Sequence, residues 1–340
     1  MKILLLQLKR IGDLVLTTPA IQALRRHFPG AEITLVVANE AAGLLPAIRN
    51  VDATLTISRN LRDLALFFAV ARRKFDCCID FTRNDRSALL AFLSGAPQRV
   101  VSSRAREQSQ TRVRAYTDFV PVRVRDLHTI DYHLALLEPL GVQQASPSLD
   151  LQLPPEADER ADALRRAWEI EKPYVILHPG SARREKLWEP QRWSAVIEHL
   201  EGNNGLHLVL TSGGSRTERD HVEAIKKQTG QRVTDLSGKT DLLTLGALIA
   251  KAQLLVTVDS APMHLAAAAG TPQVILFGPT NPFHWRPRES PAVILQGKSG
   301  APVTRFVPVQ PRCAMSEIST EAVINAMDWL LSPRLATQPS

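Results

Sequence analysis

The sequence predicts an α/β protein made of two doubly wound domains, and three features of its 340 residues support this prediction. Short apolar runs alternate with amphipathic stretches of helical period, which is typical of βαβ units and buried parallel sheets. The chain is longer than one ordinary hydrophobic core requires. Residues 141–159 interrupt the alternation with prolines and no helical period, so they are predicted to be a linker. We therefore predict a first domain over residues 1–150 and a second over residues 151–340, with the C-terminal helix as a candidate to pack back on the first.

The predicted strands are short runs rich in Val, Ile and Leu. In the first half they are KILLLQL, EITLVVA, ATLTI and FDCCID, and the stretches PAIQALRRHF and RDLALFFAVARRKF have helical period. In the second half they are YVILHP, HLVLTS, RVTDLS, LLVTVD and PQVILFG, with helical period in QRWSAVIEHLE, ERDHVEAIKKQTG and LLTLGALIAKA. Ligands of doubly wound sheets bind beyond the carboxyl ends of the strands. Polar residues at those ends are therefore the candidates for function.

Composition argues against a transmembrane protein, a zinc protein and a nucleic-acid-binding protein. No run of about 18 apolar residues occurs, so no transmembrane helix is predicted. Cys77, Cys78 and Cys313 have no CxxC or zinc spacing, and we expect reduced thiols in a cytosolic protein. Most of the net charge of +7 comes from the arginine-rich segment 99–125, which favours an anionic partner, although a solvated loop has the same composition. Aromatic residues are not interleaved with these arginines, which argues against nucleic acid.

The first polar strand end is LKRIGDLVL, which contains Gly12 and Asp13. Gly12 permits a tight turn and a close backbone approach. Asp caps helices well, so a helix cap is one interpretation of Asp13. The other is a carboxylate that faces an interdomain cleft and serves as a general base.

The second is LHPGSARREKLW, where a turn of small residues follows a strand. The backbone N–H groups around Gly180 and Ser181 suit a phosphate group. Lys186, with Arg183 and Arg184 nearby, is placed to neutralise a diphosphate. A loop with ordinary surface cations has the same pattern.

The third is TSGGSRTERD, with Gly213, Gly214 and Glu218. These residues fit the lining of a nucleoside pocket, but a tight βα loop with a Glu at the helix N-terminus is the simpler interpretation. No GxGxxG follows the first strand, and the sequence contains neither GxSxG nor HExxH. Most dehydrogenases, serine hydrolases and zincins are thereby excluded.

The fourth is VTVDSAPMHL, in which Asp259 ends a strand and a helix follows. Asp259 or Ser260 is expected to cap that helix, with Pro262 in its first turn. The backbone N–H groups of Ser260 and Ala261 would then meet an anion at the positive end of the helix dipole. His264 is either a packing residue of the first turn or part of the same site.

Three segments together closely resemble glycosyltransferase family 9, the ADP-heptose:lipopolysaccharide heptosyltransferases. They are MKILLLQLKRIGDLVLTTPAIQALRRHFPGAEITLVV, ILHPGSARREKLWEPQRWSAVIEHL and VTVDSAPMHLAAAAGTPQVILFGPTNPFHW. The resemblance implies a GT-B fold of two Rossmann-like domains, with the acceptor on the first and the nucleotide-sugar on the second. It also implies an inverting transfer of heptose from ADP-heptose to the lipopolysaccharide inner core without metal or other cofactor. The enzyme would be cytoplasmic, peripheral at the inner membrane, and without a nucleic-acid partner.

The resemblance assigns roles to residues at the four strand ends. Asp13 corresponds to the catalytic base, Lys186 to the lysine that neutralises the diphosphate, and Ser181 to a hydroxyl group near it. The donor-binding pattern D-[ST]-[GA]-x-x-H is matched by Asp259, Ser260, Ala261 and His264. The family often has a second hydroxyl where Ala182 stands, and Gly is common where Ala261 stands.

Acceptor-binding residues are less specifically indicated, because the loop QLKRIGD differs from that of close lipopolysaccharide enzymes. The candidates are Lys9, Arg10, Gly12, Arg104, Arg106, Arg112 and Arg114. Two alternatives stay open: a GT-B transferase or epimerase that uses another nucleotide-sugar such as a UDP-sugar, and a catalytically silent nucleotide-sugar binder.

Overall fold

The fold is described from a computed structural model, over residues 1–58, 60, 63–143, 145–171, 173–202, 205–229 and 233–332. The chain forms two compact units, Met1–Gln152 and Leu153–Ser340. The boundary that the sequence predicts, between residues 150 and 151, lies beside the observed one. Each unit contains one parallel sheet with its own core.

The first unit contains a six-stranded sheet in the spatial order β3-β2-β1-β4-β5-β6. Its strands are β1 (Lys2–Gln7), β2 (Glu32–Ala38), β3 (Ala53–Ile57), β4 (Cys77–Asp80), β5 (Gln98–Ser102) and β6 (Asp118–Val120). All neighbouring strands pair in parallel. The order reverses between β1 and β4, which is the switch point beside which ligands bind in this topology.

Helices connect the strands of the first unit. They are α1 (Ile11–Val15), α2 (Thr18–His27), α3 (Asp63–Arg73), α4 (Asp85–Leu93), α5 (Arg104–Gln108), α6 (Gln110–Val113) and α7 (Thr129–Ala135). The central strands are apolar on both faces because helices cover both. Leu4, Leu6 and Val36 are fully buried, as is the thiol of Cys78, whose pKa burial raises.

The second unit repeats the same topology, with the strand order β12-β11-β10-β7-β8-β9. Its strands are β7 (Tyr174–His178), β8 (His207–Leu210), β9 (Thr234–Asp235), β10 (Leu254–Val258), β11 (Gln273–Phe277) and β12 (Ala292–Gln296). Every neighbouring pair is again parallel. Here the order reverses between β7 and β10, so their carboxyl ends mark the corresponding switch point.

The helices of the second unit cover its sheet. They are α8 (Pro155–Ala167), α9 (Pro190–Glu201), α10 (Arg216–Thr229), α11 (Leu242–Ala250), α12 (Ala261–Ala269), α13 (Pro282–Trp285) and α14 (Thr320–Leu331). Helix α14 contacts α9 and strands β10, β11 and β12, and it buries Val323 and Met327 in this unit's core. Packing of the C-terminal helix on the first domain stays a prediction. None of the described helices is long and apolar enough to cross a membrane.

The predicted fold class is confirmed, and the observed elements depart from the predicted ones in three places. Strands β5 and β6 lie in the arginine-rich segment, where only short apolar stretches mark them, and β12 was likewise not predicted. The predicted linker 141–159 is too long, because α8 begins at Pro155; proline is favourable in a first helical turn. The predicted strand 232–237 is observed over Thr234–Asp235, and residue 232 lies outside the described residues.

Candidate functional site

Asp13 lies in the first turn of α1, just beyond the carboxyl end of β1, and its side chain is buried. The helix begins at Ile11, and Arg10 occupies the N-cap position without a side-chain hydrogen bond. Asp13 is therefore not the cap of this helix, which removes one of its two interpretations. Gly12 is also a helical residue, so the tight turn predicted there is wrong. The side chain of Arg10 is exposed.

Burial raises the pKa of Asp13 above its ordinary value of 3.8, against the opposing effects of the Lys9 ammonium and the Arg10 backbone N–H. Lys9 Nζ lies 3.7 Å from Asp13 Oδ1. Within the described residues Oδ1 has no hydrogen-bond partner. A buried carboxylate with a raised pKa and an oxygen that accepts no hydrogen bond from the described residues is well suited to accept a proton.

A buried network holds the backbone of Asp13 in place. Thr17 Oγ1 donates to the Asp13 carbonyl at 2.7 Å, and Gln7 Nε2 donates to Thr17 Oγ1 at 2.8 Å. His133 Nδ1 lies 3.0 Å from the Leu16 carbonyl and 3.3 Å from Thr17 Oγ1. Burial lowers the pKa of His133 to about 3, so its ring is neutral at physiological pH. These neutral groups orient α1 without adding charge next to the carboxylate.

Two further side chains approach this strand end, Arg83 from the loop after β4 and Tyr132 from α7. The Arg83 guanidinium carbon lies 5.6 Å from the centre of the Tyr132 ring, and Lys9 Nζ lies 6.0 Å from the same ring. The backbone of Arg83 is in the left-handed region, with φ +63°. Neither residue was singled out from the sequence, since nothing in FTRNDRS or TIDYHLA places them beside Asp13.

The arginines predicted to bind the acceptor lie on α5, α6 and the residue after α6. Arg112 pairs with Asp85, with Nε 2.5 Å from Oδ1. The Arg106 guanidinium lies 4.0 Å from the centre of the Phe119 ring. Arg104 is partly buried and Arg114 is exposed. Arg106 and Arg112 therefore have partners within the unit, and acceptor binding by this group stays a prediction.

In the second unit, Lys186 and Asp259 form a buried ion pair. Lys186 Nζ lies 2.5 Å from Asp259 Oδ2 and 3.1 Å from the Asp259 carbonyl oxygen. Their side chains are 10% and 8% exposed. Lys186 ends a short 3₁₀ turn, and Asp259 follows β10, so the pair forms where the ends of β7 and β10 adjoin. Two of the three ammonium donors point to Asp259, which leaves one for a ligand.

Thr280 and His264 complete this cluster. Thr280 Oγ1 donates to Asp259 Oδ2, the oxygen that also faces Lys186. His264 lies in the first turn of α12, and its pKa falls to about 4 because of burial and, to a smaller extent, Lys186. Its Nδ1 is buried and has no hydrogen-bond partner among the residues described. His264 is therefore a neutral hydrogen-bonding group beside a charged pair.

The start of α12 differs from the predicted cap. Ser260 is the N-cap residue, but its side chain makes no capping hydrogen bond, and its Oγ lies 3.4 Å from Thr257 Oγ1. Asp259 does not cap the helix because its carboxylate is held by Lys186 and Thr280. Helix α12 begins at Ala261. Without a side-chain cap, the positive end of this helix is available to an anion.

Glu218 joins two loops of the second unit. Its carboxylate accepts a hydrogen bond from the Gly213 N–H at 3.3 Å and from Ser215 Oγ at 2.6 Å. A Cβ atom added at Gly180 or Gly213 would lie 2.7 Å or 2.6 Å from a carboxylate oxygen of Glu218. Both glycines therefore pack closely on Glu218, whose carboxylate would have to shift to admit a side chain at either position. The carboxylate of Glu218 therefore contacts the loops after β7 and β8, in addition to lying in the first turn of α10.

Ser181 and Gly214 make local contacts. Ser181 is buried, and its Oγ accepts a hydrogen bond from the Arg183 N–H at 3.3 Å. The Gly214 carbonyl accepts from Arg219 Nη1 at 3.0 Å. Nearby, His178 Nδ1 lies 2.9 Å from Thr211 Oγ1, and burial lowers the pKa of His178 to about 4. The loop after β7 is thus supported by neutral groups, and Lys186 supplies its buried positive charge.

The structure brings Lys186, Asp259 and His264 together, three of the residues predicted to bind the donor, and adds Thr280. A signal for Thr280 was present in the sequence, since it lies in the loop after β11, at the same edge of the sheet as Asp259 after β10. In the first unit, Arg83, Tyr132 and His133 lie at the same strand end as Asp13 and Lys9. No sequence pattern marked these three residues as part of a site.

Comparison with known proteins identifies the family. The model of glycosyltransferase family 9 (heptosyltransferase) matches residues 64–305. Lipopolysaccharide heptosyltransferase 3 of Escherichia coli is 32% identical over 289 residues, which cover 81% of this chain and 83% of that protein. A family 9 glycosyl transferase from Veillonella parvula superposes with a TM-score of 0.83 and 25% identity, covering 97% of both chains.

A second solved structure has the same fold. The E. coli ADP-heptose lps heptosyltransferase II superposes with a TM-score of 0.78 and 21% identity, over 97% of this chain and 98% of that one. With the family match over most of the sequence, these likenesses agree with two Rossmann-like units of a GT-B protein. The chain belongs to glycosyltransferase family 9, the heptosyltransferases, and is a glycosyltransferase.

Proposed function

We propose that this enzyme transfers heptose from ADP-heptose to a sugar hydroxyl of the lipopolysaccharide inner core, with inversion and without a metal ion. The observation that carries the proposed chemistry is Asp13, a buried carboxylate with a raised pKa whose Oδ1 accepts no hydrogen bond from the described residues. Two relatives support ADP-heptose as the donor and lipopolysaccharide as the acceptor by their names. They are lipopolysaccharide heptosyltransferase 3 and ADP-heptose lps heptosyltransferase II.

The proposed reaction is a single displacement. The acceptor hydroxyl attacks the anomeric carbon while its proton passes to the Asp13 carboxylate. The bond from the anomeric carbon to the diphosphate oxygen breaks, and its electron pair leaves with ADP. The transition state resembles an oxocarbenium ion, as in other glycosyl transfers.

The departing ADP gains negative charge, and the second unit has fixed positive groups to receive it. The remaining N–H of Lys186 and the uncapped start of α12 are such groups. His264 is neutral, and its Nδ1 has no partner in the described parts of the chain, so it is suited to a hydrogen bond with the sugar or the ribose. In this proposal these groups stabilise the negative charge on the departing ADP, which a divalent cation does in other transferases.

We further propose that the enzyme attaches to an anionic membrane surface through α3 and α4. These helices pack against each other, and Leu64, Phe68, Leu89 and Phe92 on them are 65%, 62%, 44% and 61% exposed. Spacing of four residues on α3 and three on α4 places each pair on one side of its helix. We call these four residues the α3–α4 apolar face.

Positive charge adjoins the α3–α4 apolar face. Arg72 and Arg73 end α3, and the Arg72 guanidinium lies 5.2 Å from the centre of the Phe68 ring. Exposed Leu and Phe side chains beside arginine are the combination that binds the interface of an anionic bilayer. An anionic lipid surface is thus the partner that fits both the apolar side chains and the charge.

Replacing Asp13 with Asn tests the base. Asp13→Asn should lower kcat for heptose transfer by about 10²–10⁴-fold, because the amide cannot accept the proton. ADP affinity, measured by calorimetry, should stay the same because the donor groups are untouched. Asp126→Asn, at an exposed aspartate of the same unit, is the control. Activity of Asp13→Asn within a few-fold of the wild type would show that Asp13 is not the base.

The pH dependence of the reaction should report the environment of Asp13. The base works only when deprotonated, so kcat/KM should fall as the pH falls through its raised pKa. Lys9→Gln removes the ammonium that lowers this pKa, so the acid limb should move to higher pH. Lys2→Gln, at a lysine that pairs with Glu32 on the surface, should leave the limb in place. A limb that stays fixed or moves to lower pH in Lys9→Gln would contradict the assignment.

The role of Lys186 can be measured by ADP binding. Lys186→Met should weaken ADP affinity about tenfold or more, the usual effect of losing a charge-assisted hydrogen bond. Lys251→Met removes an ammonium that also pairs with aspartates, Asp158 and Asp162, and should leave ADP affinity unchanged. Titration with UDP and GDP tests whether the donor nucleotide is ADP.

Lys186→Met leaves the buried Asp259 carboxylate without its cation, so thermal unfolding of the variant must be measured as well. Asp259→Asn provides the complementary variant, because it removes negative charge beside the proposed diphosphate site and keeps the lysine. Unchanged ADP affinity in a folded Lys186→Met protein would exclude Lys186 from the diphosphate site.

The membrane proposal is tested by vesicle sedimentation. Phe68→Ser/Phe92→Ser should lower the partition coefficient onto phosphatidylglycerol vesicles by about tenfold or more, since each Phe contributes about 1.5–3 kcal/mol when fully buried. Trp329→Ser is the matched control, because Trp329 is 57% exposed on α14 of the second unit. Binding of the double variant equal to that of the wild type would exclude this face.

A further inference from the structure

The loop after β4 holds Arg83 in a backbone conformation that an arginine rarely adopts. Its φ of +63° lies in the left-handed region, which is unfavourable for residues with a Cβ atom. Asp80 imposes this conformation: its buried carboxylate accepts hydrogen bonds from the Thr82 N–H at 2.7 Å and the Arg83 N–H at 3.0 Å. The other Asp80 oxygen accepts from the Tyr116 hydroxyl at 2.5 Å. The position of Arg83 is thus fixed from the core of the unit.

Arg83 is partly buried, and two nitrogen atoms of its guanidinium have no hydrogen-bond partner among the described residues. Its Nε and Nη1 atoms are buried, and neither makes a hydrogen bond within the part of the chain described. Unpaired buried donors are costly, and those of a cation more so. The Tyr132 ring lies 5.6 Å from the guanidinium carbon and offers only its π face. The arrangement therefore leaves strong donors unused at the strand end that also holds Asp13.

The acidic side chains around Arg83 are already engaged. Asp80 accepts from backbone groups and from Tyr116, and Asp85 pairs with Arg112. Asp13 has Lys9 as its nearest cation, at 3.7 Å. The positive charge of Arg83 is thus not neutralised by a carboxylate hydrogen bond. Lys9 lies 6.0 Å from the same Tyr132 ring and adds a second positive charge to this region.

The geometry points to an oxyanion subsite for the acceptor, formed by Arg83 with Lys9 beside the Tyr132 ring. The ligand is a phosphate or carboxylate group carried by the acceptor sugar, and its capture would bring the neighbouring hydroxyl to Asp13. The guanidinium can form charge-assisted hydrogen bonds to either group through N–H donors that have no partner among the described residues. This assignment rests on the proposed transferase function, and it places acceptor recognition on Arg83 rather than on the arginines of α5 and α6.

Arg83→Gly is the most informative variant. Glycine adopts positive φ without strain, so the variant should fold with a melting temperature at or above that of the wild type. The acceptor KM, measured with a soluble deacylated core oligosaccharide, should rise about tenfold or more, as expected for loss of charge-assisted hydrogen bonds. ADP affinity should change by less than about twofold, because the subsite holds the acceptor and not the donor.

Lys74→Gly is the matched control. Lys74 is an exposed cation of the same unit that also has a positive φ, +48°, so this change removes a charge and relieves strain in the same way. It should leave the acceptor KM unchanged. Arg83→Lys keeps the charge but loses the forked donors, so its KM should lie between those of the wild type and Arg83→Gly. An acceptor KM for Arg83→Gly within twofold of the wild type would overturn the assignment.

A second acceptor, the core oligosaccharide treated with phosphatase, distinguishes a phosphate ligand from a carboxylate ligand. If wild-type KM rises to the Arg83→Gly value when the acceptor is treated with phosphatase, the ligand is a phosphate. If the treated acceptor keeps its low KM with the wild type but not with Arg83→Gly, the ligand is a carboxylate. Either result supports the subsite.

If the proposed transferase function is wrong, the measurements give a result that differs from failure of the subsite. In that case the wild type transfers no heptose to any acceptor, and KM cannot be compared. The Arg83 Nε–H resonance, assigned by its absence from Arg83→Gly, is then followed by NMR during titration with inorganic phosphate and acetate. A saturable shift with either anion supports the subsite without the transferase. A resonance that neither anion moves overturns it.

Discussion

The parallel pairing of every strand in both sheets is the constraint on which the rest of this structure depends. Because all strands of a parallel sheet end at the same edge, residues far apart in the chain are brought together there. Lys186 follows β7 and Asp259 follows β10, yet their charged atoms lie 2.5 Å apart. In the first unit the loops after β1 and β4 likewise place Asp13 and Arg83 at adjoining strand ends. The chemistry of each unit is therefore concentrated at one edge of its sheet.

Burial then decides the state of each polar group at those edges. Desolvation keeps His133, His178 and His264 neutral, since it lowers the pKa of each imidazole. The same effect raises the pKa of Asp13. Lys186 remains beside a carboxylate that offsets the cost of burying it. Each unit thus holds neutral histidines and a few charged groups at this edge, and the proposed reaction assigns the proton and the diphosphate to the charged groups.

Most of the strands were predictable because buried parallel strands are apolar on both faces. Strands β5 and β6 were missed because arginines dominate their surroundings, although Val100 and Val101 are fully buried. Residues at strand ends were predictable by the same topology, which is how Lys186 and Asp259 were found. Arg83 was not, because its significance comes from a positive φ and unpaired guanidinium donors, which only the folded backbone shows.

The two units prepare a cation for a ligand by different physical means. Lys186 is oriented by the carbonyl and carboxylate of Asp259, and Thr280 holds that carboxylate in turn. An ammonium fixed by two hydrogen bonds has its third donor already aimed, so less conformational freedom is lost on binding. Arg83 has no such partner among the described residues, and its backbone is held in the left-handed region by Asp80. The charge of Lys186 is shared with Asp259. The charge of Arg83 is not shared with a carboxylate among the described residues, which suits the acceptor anion that we propose for it.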